Sequence, residues 1–130
     1  MNKNTVTHQF HHMGIPTTIP REGERYSSTF KMWTSDGENQ TIRIQYHRFA
    51  EDSPLHPLIK TMTHIAFKVH NIDAAIEGKK ILLEPYFPFA RYKVAIVEID
   101  GAPIEFIETD LTEEEIWNSP KTNSYMYPEK

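Results

Sequence analysis

The stretch from Thr63 to Glu108 constrains the fold more than any other part of the chain. Met62-Thr63-His64-Ile65-Ala66-Phe67-Lys68-Val69 reads as a strand, and Asn71 to Glu77 reads as a short helix closed at Gly78. Asn71 is placed to cap that helix, and Ile72, Ala75 and Ile76 fall on one face at helical spacing. Three strand-like runs follow, Lys80 to Glu84, Arg91 to Ile99 and Pro103 to Glu108, the last two joined by Asp100-Gly101, a strong hairpin signal. The order strand, helix, strand, strand, strand fixes an α+β arrangement. Side chains alternate along the first strand, so Ile65, Phe67 and Val69 pack under the helix, and His64, Ala66 and Lys68 take the opposite face.

The first half is less regular. His8 to Ile15 is a strand ending at Pro16, which cannot donate to a sheet ladder. Alternation puts His12 and Gly14 on one face and His11, Met13 and Ile15 on the other, so only one of the adjacent histidines faces a given site. Thr17 to Arg25 carries Pro20 and Gly23 without an apolar helical repeat and reads as loop. Tyr26 to Thr34 reads as one strand, followed by a turn at Ser35-Asp36-Gly37. In the strand from Thr41 to Phe49, Ile42, Ile44 and Tyr46 oppose Arg43, Gln45 and His47. The polar side of such a strand must meet water or a cleft.

Glu51 to Lys60, with Pro54 and Pro57, connects the halves, and no Gly/Ser linker marks a second independent domain in the 130 residues. Thr112 and Glu115 form a capping-box pattern that predicts a short helix before the tail. That tail carries Tyr125, Met126 and Tyr127, more large apolar groups than a disordered end usually holds, and is expected to dock on this subunit or a partner.

The halves echo one another. His12-Met13-Gly14-Ile15 stands against His64-Ile65-Ala66-Phe67, and Ile44-Gln45-Tyr46 against Ile104-Glu105-Phe106. A strand–helix–three-strand unit with a His in its first strand and a Glu in its last resembles one module of the vicinal-oxygen-chelate superfamily. That superfamily includes glyoxalases, extradiol dioxygenases and bleomycin-resistance proteins. The resemblance implies two βαβββ modules, about 8–50 and 62–108, the first with a degenerate helix, forming a curved mixed sheet around a cleft, with a tail from 109 to 130. It also implies a site made of His12, Gln45, His64 and Glu105, each half supplying two ligands. Gln45 stands where the family commonly has Glu. A shift of one residue in the first strand would exchange His12 for His11, and a register error in the Thr41 to Phe49 strand would bring His47 or Arg43 to the position of Gln45.

The chemistry of these residue types agrees with that set. The chain has no Cys, which removes disulfides, thiolate metal sites and cysteine nucleophiles and fits a reducing compartment. Two imidazoles and two oxygen donors suit a six-coordinate Zn, Ni, Co, Mn or Fe(II) ion with room for a chelating substrate. The resemblance points to a divalent-metal enzyme of glyoxalase type, a lyase or isomerase acting on a small substrate with vicinal oxygens. Glu105 would be its base, because the amide of Gln45 is no useful proton acceptor. Two other classes use the same cleft: a metal-free protein of bleomycin-resistance type that sequesters an aromatic cation, and an extradiol-type dioxygenase.

A net charge of −4 with scattered Lys and Arg argues against a nucleic-acid partner. No apolar leader or membrane-length run is present, so a cytoplasmic protein is expected, and the resemblance implies a homodimer. Glu98 and Glu108 read as ordinary outer-face carboxylates. Phe87, Phe89, Tyr92 and Trp33 read as core before pocket, and charge alone offers Arg91 and Lys93 to an anionic substrate.

Overall fold

The computed structural model describes residues 7–118. Among them, eight strands form one mixed sheet that curls into a half-barrel, with three short helices. In chain order these are β1 (Gln9–Pro16), β2 (Arg25–Ser27), β3 (Met32–Asp36), β4 (Ile44–Phe49), α1 (Pro57–Thr61), β5 (His64–Lys68), α2 (Ile72–Ile76), β6 (Lys80–Phe89), β7 (Tyr92–Ile99), β8 (Ala102–Thr109) and α3 (Glu113–Asn118). The strand order is β2-β3-β4-β1-β5-β8-β7-β6. This α+β architecture is compatible with a glyoxalase-like fold.

The halves meet where β1 and β5 pair antiparallel, His12 opposite Ala66 and Gly14 opposite His64. Each of these central strands also pairs in parallel with the last strand of its own half, Gly14 opposite Gln45 and Ala66 opposite Glu105. Exchanging the halves therefore carries His12 onto His64, Gly14 onto Ala66 and Gln45 onto Glu105, the same positions that echo in the sequence.

Helix α2 forms as expected: the Asn71 side chain accepts from the Ala74 N–H, and Gly78 follows the helix at φ 73°. Ile72 and Ala75 pack with Val69, Ala95, Val97 and Phe106 on one face of the sheet. Glu108 is structural, accepting from the Ile72 N–H at 2.8 Å. On the opposite face, Leu111 and Ile116 join Ala66, Phe89, Tyr92, Val94 and Ile107, so α3 covers the face that carries His64 and Glu105. A third cluster brings Phe30 and Met32 of the first half, Ile59 of α1 and Ile96 of β7 together, which ties the two ends of the curl. Asp100 and Gly101 both have positive φ, 52° and 84°, giving the tight β7–β8 turn the sequence signals.

Several elements differ from the sequence reading. Tyr26 to Thr34 is not one strand: it breaks after Ser27, where the Ser27 hydroxyl accepts from the Phe30 N–H, and Lys31 takes φ 52° before β3 begins. Strand β6 runs on to Phe89 with three register shifts that absorb Pro85 and Pro88. The connection between halves contains α1, started by Pro57 and capped by the His56 side chain. The loop from Thr17 to Glu24 holds no helix, as its Pro and Gly foretell. Phe89 and Tyr92 stack in the core while Phe87 is exposed. Arg91 and Lys93 face Asp110 and Asp73. The residues Tyr125, Met126 and Tyr127 lie outside the described part of the chain.

Candidate metal centre

β1, β5 and β8 are consecutive in the sheet, and their registers bring three residues of one face together. Ligand atoms of His12, His64 and Glu105 all lie within 4.8 Å of one another, close enough to hold a metal ion. His64 Nε2 is 3.2 Å from one oxygen of Glu105, and His12 Nε2 is 3.8 Å from the other. Both histidines are buried, and the Glu105 side chain is only 12% exposed. Its neighbours Ile104 and Phe106 point to the face under α2, which leaves Glu105 on the site face by alternation.

Gly14 makes room for this cluster. A Cβ at that position would stand 2.1 Å from His64 Cε1, so the imidazole occupies the space a side chain would fill. Gln45 lies directly across β1 from Gly14, buried, with its amide nitrogen donating to Asp36 Oδ1 at 3.0 Å. Asp36 is in turn held by Arg25 at 3.1 Å. The carboxylate thus settles which end of the amide is nitrogen. Arg43 stands away from this position, its guanidinium 4.6 Å over the Trp117 ring.

Burial governs the electrostatics. Desolvation pushes His12 and His47 down from 6.5 to about 3, and neighbouring imidazoles add to the shift. Burial by itself would raise Glu105, but the imidazoles of His64 and His12 facing it outweigh that and bring it to about 2. Neutral imidazole beside an ionised carboxylate is the protonation state that metal ligation requires. His64 Nε2 is also buried without a hydrogen-bond partner, a cost that a cation at the cluster would remove. The donor set and this orphaned atom both fit a divalent ion.

Two further side chains enter the site, one on the face that strand alternation gives it and one that alternation hides. His47 stacks on His64, with centroids 5.5 Å apart, bonds Thr34 Oγ1 through Nδ1, and leaves Nε2 buried without a partner. Its position on the same face as Gln45 was the available signal. His11 and His12 do not face opposite ways. The β1–β5 register shifts between Phe10 and His12, so that His11 is the extra residue of a bulge. Both rings then lie buried on the site side, Nδ1 to Nδ1 at 2.8 Å. No sequence signal marks such a bulge.

No family model matches the chain, and no curated protein does. Among solved structures it is similar to the hypothetical protein BH1468 from Bacillus halodurans C-125, with a TM-score of 0.62 and 21% identity over 82% of this chain and 97% of that one. That likeness is one of fold. No helix among the described residues is long and apolar enough to cross a membrane.

Proposed function

We propose that the chain is a divalent-metal enzyme of glyoxalase-like type, with His12, His64 and Glu105 as ligands and the Gln45 amide oxygen as the fourth. The observation that carries this reading is the buried convergence of two imidazoles on one carboxylate, with His64 Nε2 making no hydrogen bond although a Glu105 oxygen lies 3.2 Å away. When bound, an ion of Zn, Ni, Co, Mn or Fe(II) would supply Lewis acidity to a substrate bearing two neighbouring oxygens. Asp36 holds the amide of Gln45 as a carboxylate commonly holds a ligand from behind. Glu105 is the residue that accepts a proton from the substrate. A carboxylate positioned beside the ion would support lyase or isomerase chemistry on a small oxygenated substrate.

A second reading draws support from His47. Two histidines and one carboxylate also suit Fe(II) oxygenases, and the buried His47 behind His64 supplies an acid–base group beside that set.

The test is metal analysis of the purified chain, as isolated and after loading with each candidate ion. About one ion per chain is expected from the stoichiometry of a single site, with its loss in His64→Ala and Glu105→Ala while circular dichroism stays native. Oxygen uptake with catechols separates the two enzymatic readings. Failure to bind any ion overturns both and leaves a metal-free binding protein for aromatic cations.

A further inference from the structure

His11 is absent from the proposed ligand set, yet it is the residue that the β1 bulge turns inward. Its Nδ1 lies 2.8 Å from Nδ1 of His12, and its Nε2 lies 3.2 Å from both oxygens of Glu113, on α3. Trp117, one turn further along α3, donates from Nε1 to Glu113 Oε1 at 3.1 Å and stacks on the His11 ring, 5.7 Å between centroids and 13° between planes.

These contacts determine where the protons sit. A carboxylate only accepts, so His11 carries its hydrogen on Nε2 and donates it to Glu113. Neutral His11 then has a bare Nδ1, and the short contact between the two Nδ1 atoms requires His12 to donate. With its hydrogen on Nδ1, His12 has its lone pair on Nε2, the atom that faces Glu105 at 3.8 Å. Two acceptors facing each other gain nothing without a cation between them.

We infer that His11 and Glu113 form a relay that fixes His12 with Nε2 as its ligand atom, making α3 a working part of the metal site. His11 is a positioning residue here. The inference rests on the metal reading above and adds a residue, a helix and a direction of hydrogen bonding to it. A ligating histidine is usually oriented by a carboxylate or carbonyl on its other nitrogen; in this chain a second histidine stands between the two. Because the relay and the ion favour the same tautomer, metal binding and docking of α3 stabilise each other.

The experiment uses Co²⁺ and the full chain. Dissociation constants are measured by competition with a chromophoric chelator for wild type, His11→Phe, Glu113→Ala, Glu113→Gln and Glu114→Ala. His11→Phe keeps a ring on Trp117 but has no Nδ1, and it is expected to weaken binding by about 10–100-fold, the usual cost of losing such a partner. Glu113→Ala weakens binding in the same direction, Glu113→Gln restores part of it through its amide oxygen, and Glu114→Ala, on the same helix, leaves it unchanged. Should His11→Phe fail to fold, Glu113→Ala at the exposed end of the relay carries the test.

A second readout separates tautomer control from packing. In the Co²⁺ protein the His12 Nδ1–H gives a paramagnetically shifted, exchangeable proton resonance, which should vanish into exchange with water in His11→Phe. Wild-type affinity in both His11→Phe and Glu113→Ala overturns the relay while leaving the metal site standing. A wild-type chain that binds no ion overturns the metal reading and the relay with it.

Discussion

Gly14 and His64 face each other across the antiparallel pair of β1 and β5, and the imidazole of His64 lies in the space that a side chain at Gly14 would occupy. The backbone at Gly14 is ordinary strand, so only space, not conformation, demands glycine there. Gly14→Ala must therefore push a buried ring out of the cluster. Overpacking of this kind costs about 1–3 kcal/mol. We expect a folded, less stable protein that has lost its ion, seen as a lowered melting temperature together with absent metal in elemental analysis. An alanine variant with full metal content would show that His64 is not held where the ion binds.

Asp36 gives a physical reason for an amide at position 45. Asp36 accepts from the amide nitrogen of Gln45 at 3.0 Å, and a Glu there would set a buried carboxylate against the half-buried one of Asp36. Gln45→Glu is expected to destabilise the metal-free chain by about 1–3 kcal/mol, the cost of an unsatisfied buried partner. Adding Asp36→Asn restores a donor and should recover much of the loss. Urea unfolding of the two variants decides the point; a neutral single substitution counts against the pairing.

The pH dependence of the metal-free protein follows from His12 and His47, both held near 3 by burial instead of 6.5. Between those values the unfolded chain binds protons that the folded chain refuses. Stability therefore rises with pH across this window and is complete above about 6.5. Glu105, lowered from 4.5 to about 2, acts in the same direction: its contribution is present above 4.5 and is lost as pH falls toward 2. Each histidine steepens the fall by up to about 1.4 kcal/mol per pH unit. Urea midpoints should decline from pH 6.5 downward, more gently in His47→Phe. A flat profile from pH 6 to 4.5 would contradict buried neutral imidazoles.

Thr112 and Glu115 close the capping box that starts α3, the Thr112 hydroxyl accepting from the Glu115 N–H at 3.1 Å and the Glu115 carboxylate from the Thr112 N–H at 2.9 Å. Thr112→Ala should cost about 1 kcal/mol. Because Glu113 and Trp117 ride on this helix, the variant is also expected to speed amide exchange in α3 and to weaken the ion, though less than His11→Phe does. Faster exchange with unchanged metal affinity would separate the helix from the site.

The sequence by itself determined most of the second half of the molecule, the extension of β6 to Phe89 apart. Period-two alternation, the Asn71 cap, Gly78 and the Asp100-Gly101 turn are local devices, and each acts within a few residues of where it is written. The echo of His12 with His64 and of Gln45 with Glu105 was legible for the same reason, since equal registers in two halves leave equal patterns. Tertiary structure alone decided the rest. The bulge that turns His11 beside His12 depends on how β1 meets β5, and no local residue preference marks it. The stacking of His47 on His64 joins β4 to β5 across β1, and the closure of Glu113 and Trp117 over His11 joins residues about a hundred positions apart. Side-chain alternation says which face a residue takes in a regular strand; which side chains then touch depends on register and curl, and those are settled by pairing between distant strands.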